Sequence, residues 1–499
     1  MLASIKSTDA TPLAGDRLFS ASRHAARHKG LLGKRGQGHK PISGTQSIAN
    51  RQTLRNIDEA MYTGTITVGG RNFEAVLDTG SFELVVFSNH CVLCGDTYWL
   101  YDEYQSKTFK AGSLITTQSF GSGSVTAKES WESVATGAGE VTDQVFWQVY
   151  DADLPMIWGN GFQVILGLGP PGSALRLAKK EARSAKKQVK QLRATHSEND
   201  AVIKEHVNKE AVARHTSRSS SLLHNLGLEC FSICLGKVSG SPGFFIWQDT
   251  LPQQLPQGVF STVPVQDGFY WSTELRDVSL DHVSGGGKGK TSLGCQNERC
   301  SAIFDTGTSL IVVPSTALHI VQDAMDKWRA LRGNCSDLSS LPDLEFTIGD
   351  LKVNLPPESY IGDVDRAGAN IDPGLLHYMP HIFRQGSSKD GPVEMASDPA
   401  TQDSCVPLLM VMDQKTEFGQ AWIFGLPFFR HFYTTFKLSD GRDGKPPVPE
   451  SISFARPDED CNPAQPDGLG RPQQRQAQQR PRLDLSKLRL PRWVWHPVN

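Results

Sequence analysis

The heptapeptide Ala75-Val-Leu-Asp-Thr-Gly-Ser81 returns 227 residues later as Ala302-Ile-Phe-Asp-Thr-Gly-Thr308. Each copy closes an apolar run and leads into another, SFELVVF after the first and TSLIVVP after the second. A single Asp-Thr-Gly triplet arises by chance in about one chain in ten of this length, so one copy decides little. Two copies in matched surroundings decide more. Each also has a later companion, Ile165-Leu166-Gly167 in the first half and Ile423-Phe424-Gly425 in the second, so the two halves share an order.

The texture around the repeats is that of strands. From Met61 the chain runs through YTGTITVGG, RNFEAVLDTG, TTQSFGSGSVTA, DQVFWQVYDADL and FQVILGLG, short β-branched and aromatic runs punctuated by glycine. A similar stretch extends from Phe231 to Phe454, in which helical patterns are brief, notably that from Ser315 to Leu331. The fold class expected is all-β with minor helices. At 499 residues the chain fits two or three domains and is far too long for a small disulfide scaffold. Its longest apolar run is the seven residues from Val406 to Met412, against the roughly 20 that a bilayer span requires.

The charge balance, 51 Lys+Arg against 53 Asp+Glu, conceals a strong segregation. Residues 1–50 carry eight basic and two acidic groups, residues 174–220 twelve and five, and residues 462–499 seven and two. The remaining 364 residues hold 24 basic and 44 acidic groups, a net of −20, which makes nucleic acid a poor partner. The 174–220 segment is Ala/Lys/Glu/Arg rich and reads as one or two exposed helices inserted into the β pattern. Docking to an acidic partner or a membrane surface stays open for it. The Pro/Gln/Arg-rich tail reads as disordered, with its terminal Trp pair either at an interface or packed on the body.

In its paired Asp-Thr-Gly loops, in NIDEAMYTGTITVG, in SLPDLEFTIGDLKVNLPPESYI and in WIFGLPFFRHFYTTFKL, the chain resembles the pepsin-like aspartic peptidases over about Leu54 to Phe454. The resemblance implies a bilobal fold with an active-site cleft between two β lobes. It divides the chain into a basic prosegment-like region 1–50, an N-terminal lobe 51–240 that carries the insertion, a C-terminal lobe 241–461 and the tail 462–499. It implies an aspartic endopeptidase, made as a zymogen and active at acid pH, that holds polypeptide in extended conformation and acts as a monomer without metal or cofactor. Asp78 and Asp305 would be catalytic. Thr79 and Thr306 would brace the loops, Gly80 and Gly307 would allow close backbone approach, and Ser81 and Thr308 would hydrogen-bond the carboxylates.

The flap departs from the family pattern. Phe120, before Gly121-Ser122-Gly123, stands where the family has Tyr, and Val85 stands where it has the Trp that partners that Tyr. Losing both partners together orphans no donor, so an apolar anchor is expected rather than a broken site. Gln163-Val164 and Leu426 also differ from common family residues. A catalytically silent peptide-binding member of the family is the alternative.

Among the nine cysteines the family implies Cys91–Cys94, Cys295–Cys300 and Cys335–Cys405 as disulfides, and hence an oxidising secretory, secreted or acidic endolysosomal-type compartment. Cys230, Cys234 and Cys461 are left with one bridge to share and no rule to assign it. Cys91-x-x-Cys94 also has redox or zinc spacing, but Cys230-x-x-x-Cys234 adds no histidine, so no metal is expected. MLASIKSTDATPLAG does not supply the apolar stretch of a secretory signal. Lys34, Arg35 and Lys40 are the prosegment candidates for pairing with the two aspartates.

Overall fold

The computed structural model describes residues 50–491 except 96–98, 122, 155–160, 195–206, 208–209, 213–220, 267, 283–288, 332–334, 366–372, 385–393, 396–404, 440–446 and 465–480. Residues 1–49, and with them Lys34, Arg35, Lys40 and nearly all of the expected prosegment, lie outside the described residues, as does the terminal Trp pair. The compact unit Gln46–Asn499 contains every described residue.

The repeat in the sequence is a repeat in topology. In the first half Met61–Val68 pairs antiparallel with Arg71–Asp78, which runs parallel to Val164–Gly167. That strand is antiparallel to Leu84–Phe87, which in turn runs parallel to Gly139–Asp153. The second half repeats the series: Ser272–Asp281 antiparallel to Cys300–Phe304, parallel to Gly419–Phe424, antiparallel to Ile311–Val313, parallel to Leu409–Val411. The inner strands are apolar on both faces, as parallel pairing within a covered sheet demands. The hydrophobic-hydrophobic-Gly companions close this motif. A Cβ on Gly167 would fall 2.5 Å from the Phe82 carbonyl carbon, and one on Gly425 would collide with the Thr308 and Leu310 carbonyl oxygens, so only glycine lets these strands pass the chain leaving each Asp-Thr-Gly turn.

The two β lobes are continuous with one another. Among the described residues thirteen strands form one sheet, in which the hairpin Cys230–Leu235 and Gly243–Trp247 joins Arg51–Ile57 on one side and Tyr433–Leu438 on the other. The lobe boundary expected at residue 240 falls in the turn of this shared hairpin. Stacked and tilted rings of Phe231, Phe245, Trp271 and Phe436 fill the core beneath it. The buried Trp271 indole donates to the Leu168 carbonyl at 2.9 Å, tying the second half to the strand end beside the first Asp-Thr-Gly loop.

Helices are few. Ser315–Ala330 forms as expected, and the start of the insertion is the 24-residue helix Pro171–Ala194, docked through Ala185 and Val189 with its Arg176 guanidinium over the Phe269 ring. No described helix is long and apolar enough to cross a membrane. The expectation of a disordered tail needs correction. Residues Arg482–Asp484 form a strand parallel to Ile361–Asp365, a 3-10 turn follows at Leu485–Lys487, and Leu483, Leu485, Leu488 and Leu490 are buried. Four leucines within eight residues provide the apolar surface that the flanking Gln/Arg-rich stretch lacks.

Disulfides join Cys91–Cys94, Cys295–Cys300 and Cys335–Cys405, and the fourth selects Cys234 for Cys461. Cys230 stays reduced and buried, its thiol donating to the Asp249 carbonyl. Burial, with Asp249 and Glu229 adding to it, pushes that thiol up to about 12. The native protein should therefore resist alkylation at neutral pH, and unfolding in denaturant without reductant should release one titratable thiol. Two or more reactive thiols would contradict the pairing.

Candidate active site

Each Asp-Thr-Gly loop leaves the end of a buried strand, Arg71–Asp78 or Cys300–Phe304, and the two turns meet face to face. The threonines exchange their groups. The Thr79 amide donates to Thr306 Oγ1 at 3.0 Å, and the Thr306 amide donates to Thr79 Oγ1 at 2.9 Å. Each hydroxyl then spends its own proton on the opposite strand, Thr79 on the Phe304 carbonyl at 2.9 Å and Thr306 on the Leu77 carbonyl at 2.6 Å. Four reciprocal bonds thus satisfy every donor in the crossing without water.

The glycines exist for the carboxylates. A Cβ on Gly80 would lie 2.5 Å from Asp305 Cγ, and one on Gly307 would overlap Asp78 Oδ1, so each side chain occupies the space its counterpart loop vacates. Asp78 and Asp305 are 2% and 4% exposed. Their inner oxygens are held alike: Asp78 Oδ1 accepts the Gly80 amide at 2.9 Å, and Asp305 Oδ1 accepts the Gly307 amide at 2.7 Å.

The outer oxygens differ. Asp305 Oδ2 accepts the Thr308 hydroxyl at 2.6 Å, as expected, but the buried Ser81 hydroxyl has no partner among the described residues. In its place the Arg489 guanidinium donates to Asp78 Oδ2 at 3.0 Å, a buried ion pair. Burial first, and the Asp78 charge second, raise the Asp305 carboxyl to about 7, against the opposing effects of Thr308, Gly307 and Arg489. A buried carboxyl that keeps its proton well above the usual carboxylate range is suited to general acid–base chemistry.

Lys110–Phe120 and Gly123–Thr136 pair as the hairpin expected to serve as the flap. Phe120 packs, partly buried, against an apolar cluster that contains Val85, Val125 and Trp147, which is an apolar anchor of the kind expected. Gly121 at its tip faces the tail: a Cβ there would lie 2.5 Å from the Pro491 carbonyl oxygen. Gly123 opens the returning strand opposite Phe120.

Sequence reasoning missed Arg489 and Ser309. Ser309 Oγ accepts the Arg489 amide at 2.6 Å and donates to the Ala60 carbonyl at 2.5 Å, while the Ser309 amide donates to the Arg489 carbonyl at 3.1 Å. The only signal for the tail was its leucine spacing.

A mostly β, two-lobed fold with paired Asp-Thr-Gly loops defines an aspartic-peptidase-like protein. The sequence matches the eukaryotic aspartyl protease family over residues 61–372, more than half of the chain, and the protein belongs to that family. It is 24% identical to pepsin A of Bos taurus over 424 residues, covering 82% of this chain and 90% of the relative. It is 25% identical to pepsin A of Sus scrofa over 416 residues (81% and 85%) and 26% identical to renin of Rattus norvegicus over 410 residues (80% and 82%).

The crossing predicts its own mutant phenotype. Thr306→Val removes the acceptor for the Thr79 amide and the donor for the Leu77 carbonyl, and should cost about 1–3 kcal/mol by leaving buried groups unpaired. Thr306→Ser, which keeps the hydroxyl, should recover most of the loss. Denaturant midpoints for the three proteins measure this.

Proposed function

We propose that the protein is an aspartic endopeptidase that hydrolyses polypeptide held extended under the flap, with Asp78 and Asp305 as its catalytic pair. The observation that carries the reading is the raised Asp305 carboxyl beside Asp78, held by mirror-related loops. Asp305, whose carboxyl is raised, holds the proton of the pair. A water placed between them loses a proton to Asp78 as its oxygen attacks the scissile carbonyl, while Asp305 donates its proton to the carbonyl oxygen. Asp78 then passes the proton it took to the amide nitrogen, the C–N bond breaks, and one hydroxyl of the diol gives its proton to Asp305, leaving acid, amine and the starting pair. Once Arg489 is gone, Ser81 is the natural donor to the outer oxygen of Asp78, matching Thr308 on Asp305. Side-chain pockets would take the residues on either side of the cut.

The family relationship supports the class of reaction. The four disulfides suit an oxidising compartment, so we place the protein in the secretory pathway or an acidic organelle reached through it. Acid pH fits the need for a proton on Asp305. The basic region 1–50 is retained as a prosegment, released when carboxylates titrate.

Purified protein incubated with unfolded polypeptide at acid pH should release peptides, and Asp78→Asn and Asp305→Asn should each abolish release. Equal release by all three would refute the proposal. Bound but uncleaved polypeptide, with Phe120 in place of a tyrosine at the flap, would favour the silent binding protein.

The Asp305 shift carries a stability signature. A carboxyl whose folded value is raised binds more protons folded than unfolded between about pH 4 and its raised value, so stability falls as pH rises through that window. Asp305→Asn removes this loss. Its melting temperature relative to wild type should therefore be more favourable near pH 7.5 than near pH 4.5. A pH-independent difference would contradict the shift.

A further inference from the structure

The peptidase chemistry leaves one buried assembly unexplained, the tail segment lying across the two loops. We propose, on the basis of the peptidase reading, that residues 481–491 are the cleft's own ligand, an intramolecular inhibitor that must leave before substrate can enter. The segment is held along its whole length. Its strand Arg482–Asp484 adds to Ile361–Asp365, and the Asp363 amide donates to the Pro481 carbonyl at 2.9 Å. Leu483, Leu485, Leu488 and Leu490 enter one apolar cluster with Phe82, Leu310, Leu375 and Met379. Lys487 pairs with Asp58, on a turn whose neighbour Glu59 is fixed by Arg430 at 3.2 Å.

At the centre, Ser309 binds both the amide and the carbonyl of Arg489, as a cleft edge would bind a peptide backbone. The group delivered to Asp78 is a guanidinium, while the Arg489 carbonyl oxygen is taken by the Ser309 amide, so the segment fills the site without offering that carbonyl to the catalytic pair. The flap closes over it, with Gly121 against Leu490 and the Pro491 carbonyl. A substrate chain under the flap would need the same space and the same outer oxygen of Asp78.

The arrangement is also incomplete in a way that favours release. The second amino group of Arg489, Nη1, is buried without a partner among the described residues, and so is the Ser81 hydroxyl of the first Asp-Thr-Gly loop. Two unsatisfied polar groups make the closed state less stable than its contact area suggests. The segment carries Arg482, Lys487 and Arg489 against the single acid Asp484, the opposite sign to the acidic body it covers. The ligand class is thus a peptide that bends through one 3-10 turn and then alternates basic and apolar residues from Lys487 to Leu490, an arginine flanked by leucines. A free peptide of this sequence should compete with substrate.

The test uses the full chain. Hydrogen exchange should show the amides of 482–490 protected in the wild type, and that protection should be lost in Arg489→Ala. Loss of a charge-assisted contact should raise the initial rate of polypeptide hydrolysis by about ten- to a hundredfold. Lys487→Glu, which reverses a partly exposed contact, should act in the same direction by a smaller factor and guards against misfolding of the first variant. The synthetic peptide 481–491 added to Arg489→Ala should restore inhibition. Unprotected amides in the wild type, or protection with an unchanged or lower rate in both variants, would overturn the proposal. Protection that is lost in Arg489→Ala without hydrolysis by any variant would leave the cleft ligand standing and refute the peptidase reading instead.

Discussion

Everything at the centre of the molecule depends on the exchange between Thr79 and Thr306. Neither turn can satisfy its own threonine: the amide of one finds its acceptor on the hydroxyl of the other, and each hydroxyl finds its acceptor on the strand behind its counterpart. The two halves of the chain must therefore arrive together. Once they do, the geometry of both carboxylates is fixed to within the tolerance of a glycine without a Cβ, because Gly80 and Gly307 back directly onto Asp305 and Asp78.

That precision imposes an electrostatic cost. Two carboxylates buried together cannot both be charged cheaply, and the raised Asp305 carboxyl is the result. The surrounding architecture supports the crossing with rigid elements. Strands covered on both faces end at each aspartate, Trp271 reaches over to Leu168, and the thirteen-stranded sheet runs through the junction of the lobes without interruption. Phe120 on the hairpin rests on apolar packing, where the family pattern has a hydrogen-bonded tyrosine.

Much of this was legible in the sequence. A duplicated Asp-Thr-Gly, each copy after an apolar strand and before a hydrophobic-hydrophobic-Gly companion, encodes both the topological repeat and the need for small residues at the crossing. The choice of Cys234 over Cys230 was not legible, since the two sit on one strand and only the position of Cys461 in space separates them. Nor was the difference between the two outer oxygens. Ser81 and Thr308 look equivalent in sequence, yet Arg489 takes the place of the first, from 411 residues away along the chain. Its segment was read with the tail that surrounds it, whose bulk composition hides the leucines.

The Cys234–Cys461 bridge closes a covalent ring of 227 residues around nearly all of the second half, which by loop closure alone is worth about 5 kcal/mol. The ring also divides the chain by what a cut would do. A single nick between 235 and 460 leaves both fragments joined, and the two-lobed body stays in one covalent piece. The described tail segment lies beyond the ring, joined to it by residues 462–480, so a single nick in that stretch sets the leucine-arginine segment loose. The bridge thereby separates a long interior, where one cut leaves the pieces joined, from the stretch just past Cys461, where one cut frees the tail segment.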